Sequence, residues 1–288
     1  MNCNLCPRSC GVDRDNGIIG FCRVGSMPLV GRIAPHLWEE PCICTKNGSG
    51  AVFFSGCNLR CSFCQNGKIS GGGIGTEMTE KELAEAYISL QGMGVCNINF
   101  VTPTPWVPNI KRSLDLAWEM GLYLPTVYNC GGYESVAALR SLAGYIGVYL
   151  PDFKYMDNEL GRRYSGVSDY PERAKAALNE MVNQRGSIVY DSDGTMIKGV
   201  IVRHLVLPGH IDDSMRVLEY LHREYGDGIV ISIMSQYTPQ PNAPIGLDRR
   251  ITVEEYAAVV DYAKSIGIEN AYIQDGESAS ESFIPEFK

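Results

Sequence analysis

The 288 residues carry 45% hydrophobic and 20% charged side chains, enough apolar material for one large α/β domain or two small ones, and too much for wholesale disorder. The formal net charge of −8 argues against a nucleic-acid partner, because a phosphate-binding surface needs a basic excess. No apolar run approaches the roughly 18 residues of a membrane span, and Met1 precedes polar residues and cysteines rather than a secretory leader, so a soluble, cytoplasmic protein without a membrane partner is expected.

The chain opens on a segment, 1–45, that is rich in cysteine and poor in periodic pattern. It is expected to form an extension separate from a domain over 46–288. Its first cysteines, Cys3, Cys6, Cys10 and Cys22, have the spacing C-x2-C-x3-C-x11-C, sufficient for a zinc site or an iron–sulfur cluster. Cys42 and Cys44 follow as a pair. In a reducing compartment, clustered cysteines bind metal or do chemistry more often than they form disulfides. Cys96 and Cys130 stand alone and read as small buried hydrophobes.

From residue 51, short apolar runs alternate with amphipathic helical patterns. The runs at 51–55, 97–101, 123–129, 145–153, 199–207 and 228–236 are apolar on both faces, which predicts six strands of a buried parallel sheet. Between and after them come helices. Thr79 with Glu82, and Thr252 with Glu255, form capping boxes. Further helical patterns cover 109–120, 133–143, 171–185 and 212–225, and helices run out near Gly121, Gly144, Gly186, Gly226 and Gly267, as a left-handed C-cap prefers. The stretch 187–199 interrupts the alternation. Its Asp193-Gly194 predicts a hairpin leading into the fifth strand. Six β-α units in series predict right-handed crossovers. A closed eightfold barrel takes about 250 residues, so an open, partial (β/α)6 TIM-like barrel is expected, with a doubly wound sheet as the alternative. In both, ligands sit at the C-terminal ends of the strands.

Directly after the first strand comes GCNLRCSFCQN, residues 56–66, with Cys57, Cys61 and Cys64 in the spacing C-x3-C-x2-C. Its place puts it in the first βα loop, at the ligand end. Three chemistries compete. Structural zinc wants four closed ligands and would have to borrow Cys42, Cys44 or a distant histidine. A redox cysteine explains CSFC but leaves the third cysteine surplus. A [4Fe-4S] cluster on three thiolates leaves one iron open to a small molecule.

The C-x3-C-x2-C motif, with Phe63 before its last cysteine, resembles the signature of the radical S-adenosylmethionine (radical SAM) enzymes. The resemblance implies a [4Fe-4S] cluster on Cys57, Cys61 and Cys64 whose open iron chelates S-adenosylmethionine. It implies reductive cleavage of the sulfonium and a 5′-deoxyadenosyl radical that takes hydrogen from a substrate. It also implies the partial (β/α)6 barrel, an electron donor such as flavodoxin or ferredoxin, and a polypeptide or small-molecule substrate. The segments LPDFKY (150–155) and VRHLVLPGHIDDS (202–214) are similar to those of glycyl-radical-enzyme activases such as the pyruvate formate-lyase activating enzyme. CNLCPRSC, EEPCI and FFSGCNLRC are similar to an activase-like subgroup of iron–sulfur proteins. The extra cysteines precede the motif here, so the ferredoxin-like insert of some activases is missing.

The same resemblance implies a set of cofactor contacts. The family often carries Gly-Gly-Glu at the end of strand 2. This chain reads VTPTPW (101–106), without a carboxylate, so the backbone of Thr102 to Thr104 is implied for the methionine amine. Asp152 and Lys154 alternate with Phe153 and point to one face. They are implied for ribose hydroxyls and the cofactor carboxylate. Arg203 is implied for the methionine carboxylate, and His204 for packing. Gln236, Tyr237, Phe63, Gln65 and Asn66 are implied around the adenosine and the cluster. A reading from another class is a non-catalytic zinc or iron–sulfur scaffold on a barrel.

Overall fold

The computed structural model describes residues 3–43, 47–241, 243–274 and 287; Cys44 lies outside the described residues. In chain order, loops lead into β1 (Leu29–His36), β2 (Ser49–Phe54), α1 (Gly67–Ser70), β3 (Thr76–Glu77) and α2 (Glu80–Gly92). Next come β4 (Ile98–Val101), α3 (Val107–Glu119), β5 (Thr126–Cys130), α4 (Val136–Ser141), β6 (Val148–Pro151), α5 (Asn158–Ser165) and α6 (Tyr170–Arg185). The chain continues through β7 (Val189–Tyr190), β8 (Met196–Leu205), α7 (Ile211–Tyr225), β9 (Val230–Met234), α8 (Val253–Ser265) and β10 (Ala271–Ile273).

The sheet runs β10-β9-β8-β6-β5-β4-β2-β1-β3, with β7 paired to β8. Every pairing from β2 across to β10 is parallel, and the two ends of the order do not pair. This is the expected α/β architecture, an open barrel rather than a closed one. Both capping boxes form, at Thr79 and Thr252. The predicted hairpin is present as β7 antiparallel to β8. Among the described residues no helix is long and apolar enough to cross a membrane.

Three features differ from expectation. β10 adds a seventh parallel strand, too short at three residues to carry a period. Helix α5, read as connection, forms over NELGRRYS, with the Asp157 side chain accepting from Glu159 N at its start. The segment 1–45 is also no free extension, because β1 pairs antiparallel with β2 over six registered positions. The sequence of β1, LVGRIAPH, is half-exposed, and its Pro35 falls beyond the two residues that pair with β3, where that side of the strand is open.

The antiparallel register sets where the chain goes next. His36 faces Ser49, so β1 ends at the N-terminal end of the barrel, opposite the loop that follows β2. Residues 37–43 then pass beneath the barrel and plug it. Met196 N donates to Cys42 O at 2.6 Å, and Asn97 Nδ2 donates to Ile43 O at 2.6 Å. Cys42 and Ile43 are buried with Val127, Val148, Leu150, Ile201 and Val230. Each such aliphatic residue contributes about 1.5–3 kcal/mol by leaving water. Cys42 therefore lies at the wrong end of the barrel to complete a metal site with the motif loop.

Candidate active site

The motif loop leaves β2 at Gly56, whose φ of 85° suits glycine, and a Cβ there would meet Val24 Cγ1 at 2.5 Å and Cys22 O at 2.8 Å. The loop is pinned from two sides. Gly56 N donates to Ile69 O at 2.9 Å, and Ser62 N donates to Tyr164 O of α5 at 2.8 Å. Cys64 N donates to Cys61 O at 3.1 Å, closing the turn that carries the last two thiols, and Cys61 Sγ lies 3.0 Å from Ser165 Oγ. Leu59 and Phe63 are buried, with Phe63 edge-on to Tyr155 at 6.5 Å.

The three thiols open on a cavity of about 1420 Å³, counting the part open to solvent. It brings together Cys57, Cys61 and Cys64 with eight of the expected cofactor contacts, Phe63, Gln65, Thr102, Thr104, Asp152, Lys154, Arg203 and Gln236, although they come from five separate segments. Gln65 Nε2 donates to Gln236 O at 3.0 Å, joining the first loop to the end of β9. Tyr237, by contrast, is buried behind Phe63 and donates its hydroxyl to Leu247 O, so it supports the wall rather than facing the cavity.

At the end of β4, Thr102 holds a left-handed φ of 59° while its N–H donates to Asn129 O at 3.0 Å. A β-branched residue in that region costs about 1–3 kcal/mol, a strain that concentrates at ligand-binding positions. The expectation that this strand end lacks a carboxylate is corrected by the fold. Glu134, from the loop after β5, accepts from Thr104 Oγ1 at 2.8 Å and from Tyr128 OH at 3.1 Å. Burial pushes its carboxyl up to about 7 against those hydrogen bonds. The Thr104 hydroxyl is thus committed to protein, not free for a ligand.

At the ends of β6 and β8, Asp152 is shared by two cations. Lys154 Nζ lies 2.6 Å from Oδ2, and Arg203 Nε donates to Oδ1 at 3.1 Å. Burial opposes ionisation of Asp152, but the two cations outweigh it and hold the carboxyl below its ordinary value. Burial likewise disfavours the charge on Lys154, while Asp152 and the thiolates of Cys61 and Cys64 raise its pKa. Arg203 is more occupied than expected. Besides Asp152, its Nη2 donates to Asn129 Oδ1 at 2.6 Å and its Nη1 lies 3.7 Å from Glu39 Oε2. It is the centre of a half-buried network, with one nitrogen left outside hydrogen-bond reach of protein. His204 points the other way, with Nδ1 2.7 Å from Phe153 O, and burial lowers its pKa to about 4, so it packs as a neutral ring.

The donor set fits an iron–sulfur cluster. Burial, and then the neighbouring thiols, push the Cys57 and Cys64 thiols upward, so three bare thiolates would not coexist here without a compensating cation. Among the described residues, no three His, Cys, Asp or Glu side chains converge on one point where a single ion would sit. A cubane asks for something else, since its thiolates bind separate irons.

The N-terminal cysteines sit beside this loop. Cys6 is pushed up to about 12, mainly by burial, with Glu134, Cys22 and Cys10 adding like charge. Their segment is clamped by arginines. Arg14 Nη1 donates to Pro105 O at 2.6 Å, Arg8 Nε donates to Asn58 O at 3.0 Å, and the guanidinium carbons of Arg8 and Arg60 lie 3.6 and 4.2 Å from the Phe21 ring centre. Sequence reasoning missed Glu39, Glu134 and Asn129. For Glu134 a signal existed, since CGGYE places a glycine pair and a carboxylate directly after a strand at the ligand end. For Glu39 none did, because its segment has no period.

A family model described as the radical SAM superfamily matches residues 51–221. Over 283 residues the chain is 29% identical to the uncharacterized protein MJ0674 of Methanocaldococcus jannaschii, covering 94% of this chain and 77% of that one. Among solved structures it is similar to SuiB of Streptococcus suis bound to precursor peptide SuiA, with a TM-score of 0.54 and 13% identity over 77% of this chain and 47% of that one. It is similar also to the FeFe-hydrogenase maturase HydG of Carboxydothermus hydrogenoformans, with a TM-score of 0.54 and 13% identity over 75% and 51%. The chain spans about half the length of these two structures, and at such identity the likeness is one of fold.

Proposed function

The chain belongs to the radical SAM superfamily, and from that premise we propose that it reductively cleaves S-adenosylmethionine at a [4Fe-4S] cluster held by Cys57, Cys61 and Cys64. The observation that carries this reading is the shared cavity, in which three thiols of one loop face the ends of β4, β6, β8 and β9. When bound, the cluster and S-adenosylmethionine supply one-electron cleavage of a sulfonium and hydrogen abstraction from a substrate. The chain's own residues bind and orient. Lys154 sets a cation beside the thiolates, and Asp152 fixes it there. The left-handed turn at Thr102 exposes backbone at the strand end for the methionine amine. The uncommitted Nη1 of Arg203 suits a carboxylate. Phe63 and Gln65, with Gln236, flank the adenosine.

The finer reading is an activase-like enzyme acting on a polypeptide or a small molecule, supplied with electrons by a flavodoxin or ferredoxin. LPDFKY and VRHLVLPG support it, because they contribute Asp152, Lys154 and Arg203 to one network. The cysteines among the described residues are all free thiols, which supports a cytoplasmic compartment. Of the two metals expected for the N-terminal thiols Cys3, Cys6, Cys10 and Cys22, we assign a cluster rather than zinc, since among the described residues no three of them converge on one point where a single ion would sit.

Anaerobic reconstitution with iron and sulfide, followed by dithionite and S-adenosylmethionine, tests the whole. 5′-Deoxyadenosine is the expected product, and its absence from a preparation with a full complement of iron sinks the reading. Zinc without iron or absorbance near 400 nm would mark a scaffold instead. Metal beyond about four irons per chain locates the second site, and its absence removes that assignment.

A further inference from the structure

The floor of the cavity lies opposite the cysteine loop and is built by Glu39, which rises from the plug that follows β1. A chain of contacts separates it from the thiols: Lys154 beside Cys61, then Asp152, then Arg203, then Glu39. Only 7% of the Glu39 side chain is exposed. Its Oε1 accepts from Asn99 Nδ2 at 3.0 Å and from Asn129 Nδ2 at 3.3 Å. These two amides fix the carboxylate in the cavity lining. Its Oε2 makes no hydrogen bond among the described residues, and Arg203 Nη1 at 3.7 Å is its nearest cation. Beside it, Asn99 Oδ1 is buried without a donor.

The charge balance says what is wanted there. Three acids, Glu39, Glu40 and Asp152, share two cations, Arg203 and Lys154, and of the three acids Asp152 lies nearest to both cations. Burial accordingly pushes the Glu39 carboxyl up to about 7 despite Arg203. Two spare acceptors and an acidic excess match a donor-rich cation. Phe53, Val101, Leu205 and Met234 line the walls above, which suits an alkyl stem. We propose that Glu39 receives the cationic nitrogen of the substrate, an ammonium or guanidinium group on an alkyl chain. A free amine and a lysine side chain of a polypeptide share that chemistry.

The inference rests on reading the cavity as the radical site, and its test does not need the reaction. Reconstituted enzyme saturated with S-adenosylmethionine, without reductant, is titrated with n-butylammonium, butyrate and n-butanol by ligand-observed NMR. Acetyl-Gly-Lys-Gly-amide is the peptide arm. Butylammonium or the lysine peptide binds, and butyrate and butanol bind roughly tenfold more weakly or not at all, as a charged hydrogen bond requires. Whichever of the amine and the peptide binds more tightly identifies the source. Glu39→Gln weakens the cation roughly tenfold to a hundredfold, with its fold checked by circular dichroism and iron content. Butyrate binding as tightly as butylammonium, or unchanged binding to Glu39→Gln, overturns the proposal. If Glu39→Gln does not fold, the wild-type contrast between butylammonium and butyrate still decides. A wild-type enzyme that forms no 5′-deoxyadenosine would overturn the radical reading alone, since the titration needs no turnover.

Discussion

Two cysteine-rich regions lie side by side in this molecule, and they are built differently. The motif loop is short, tied by its own amides and by α5, and its thiols open on a cavity lined by a half-buried ion network. The first N-terminal cysteines, Cys3, Cys6, Cys10 and Cys22, are one thiol more, but their segment is held on by arginine contacts, from its own Arg8 and Arg14 and from Arg60. Its Cys10 is exposed, and Cys6 looks onto a cleft with Ser9, Glu134 and Arg173. A count of thiols would rank the second region first. What separates them is what the sulfurs face, and that follows from the position of each region relative to the strand ends.

The comparison can be broken at several points. The largest effect is expected from Cys61→Ala, which removes one of three ligands. Iron content should collapse and 5′-deoxyadenosine fall to background, while circular dichroism stays that of a folded barrel. Retained activity would mean that the motif loop is not the region that matters.

Asp152→Asn should come next. It strips two half-buried cations of their shared carboxylate, and the cost is expected to lie between the roughly 1 kcal/mol of a surface pair and the roughly 3–5 kcal/mol of a buried one, to be read as a lower denaturant midpoint. A change under about 1 kcal/mol, the range of a surface pair, would show that the network is solvated rather than buried.

Gly56→Ala tests the seam between the two regions. The positive φ and the contacts with Val24 and Cys22 O predict a loss of about 1–3 kcal/mol. Protease sensitivity should rise in residues 3–25 before it rises elsewhere. Cleavage spread evenly over the chain would argue that the seam is not where the strain goes.

A pH-dependent effect concerns Glu134, which accepts from Thr104 on the cavity side and shares a cleft with Cys6 of the N-terminal segment. Its carboxyl is raised from 4.5 to about 7 in the fold, mainly by burial. The folded state therefore binds its proton more tightly than the unfolded chain does. Stability from this group is complete below pH 4.5 and declines as pH rises towards 7, by at most about 1.4 kcal/mol per pH unit. Glu134→Gln should flatten that part of the stability profile, and an unchanged slope would place the proton elsewhere.

Much of the barrel was legible because its strands are apolar on both faces, and each capping box needs only residues three apart. Strand β1 was not, since a half-exposed strand carrying Arg32 and Pro35 has no buried period to read. Helix α5 was hidden by its polar sequence, NELGRRYS, which has no apolar period.

The local sequence by itself determined the parallel strands, the capped helices and the thiol motif in the first loop, because those depend on neighbours a few residues away. Only the tertiary structure decided which carboxylates serve the cavity. Glu39 reaches it because the register of β1 sends the following segment beneath the barrel. Glu134 meets Thr104 because β4 and β5 pair in parallel and their loops leave at the same end. Burial and charge pairing of this kind are set by distance in space, and no spacing along the chain encodes them.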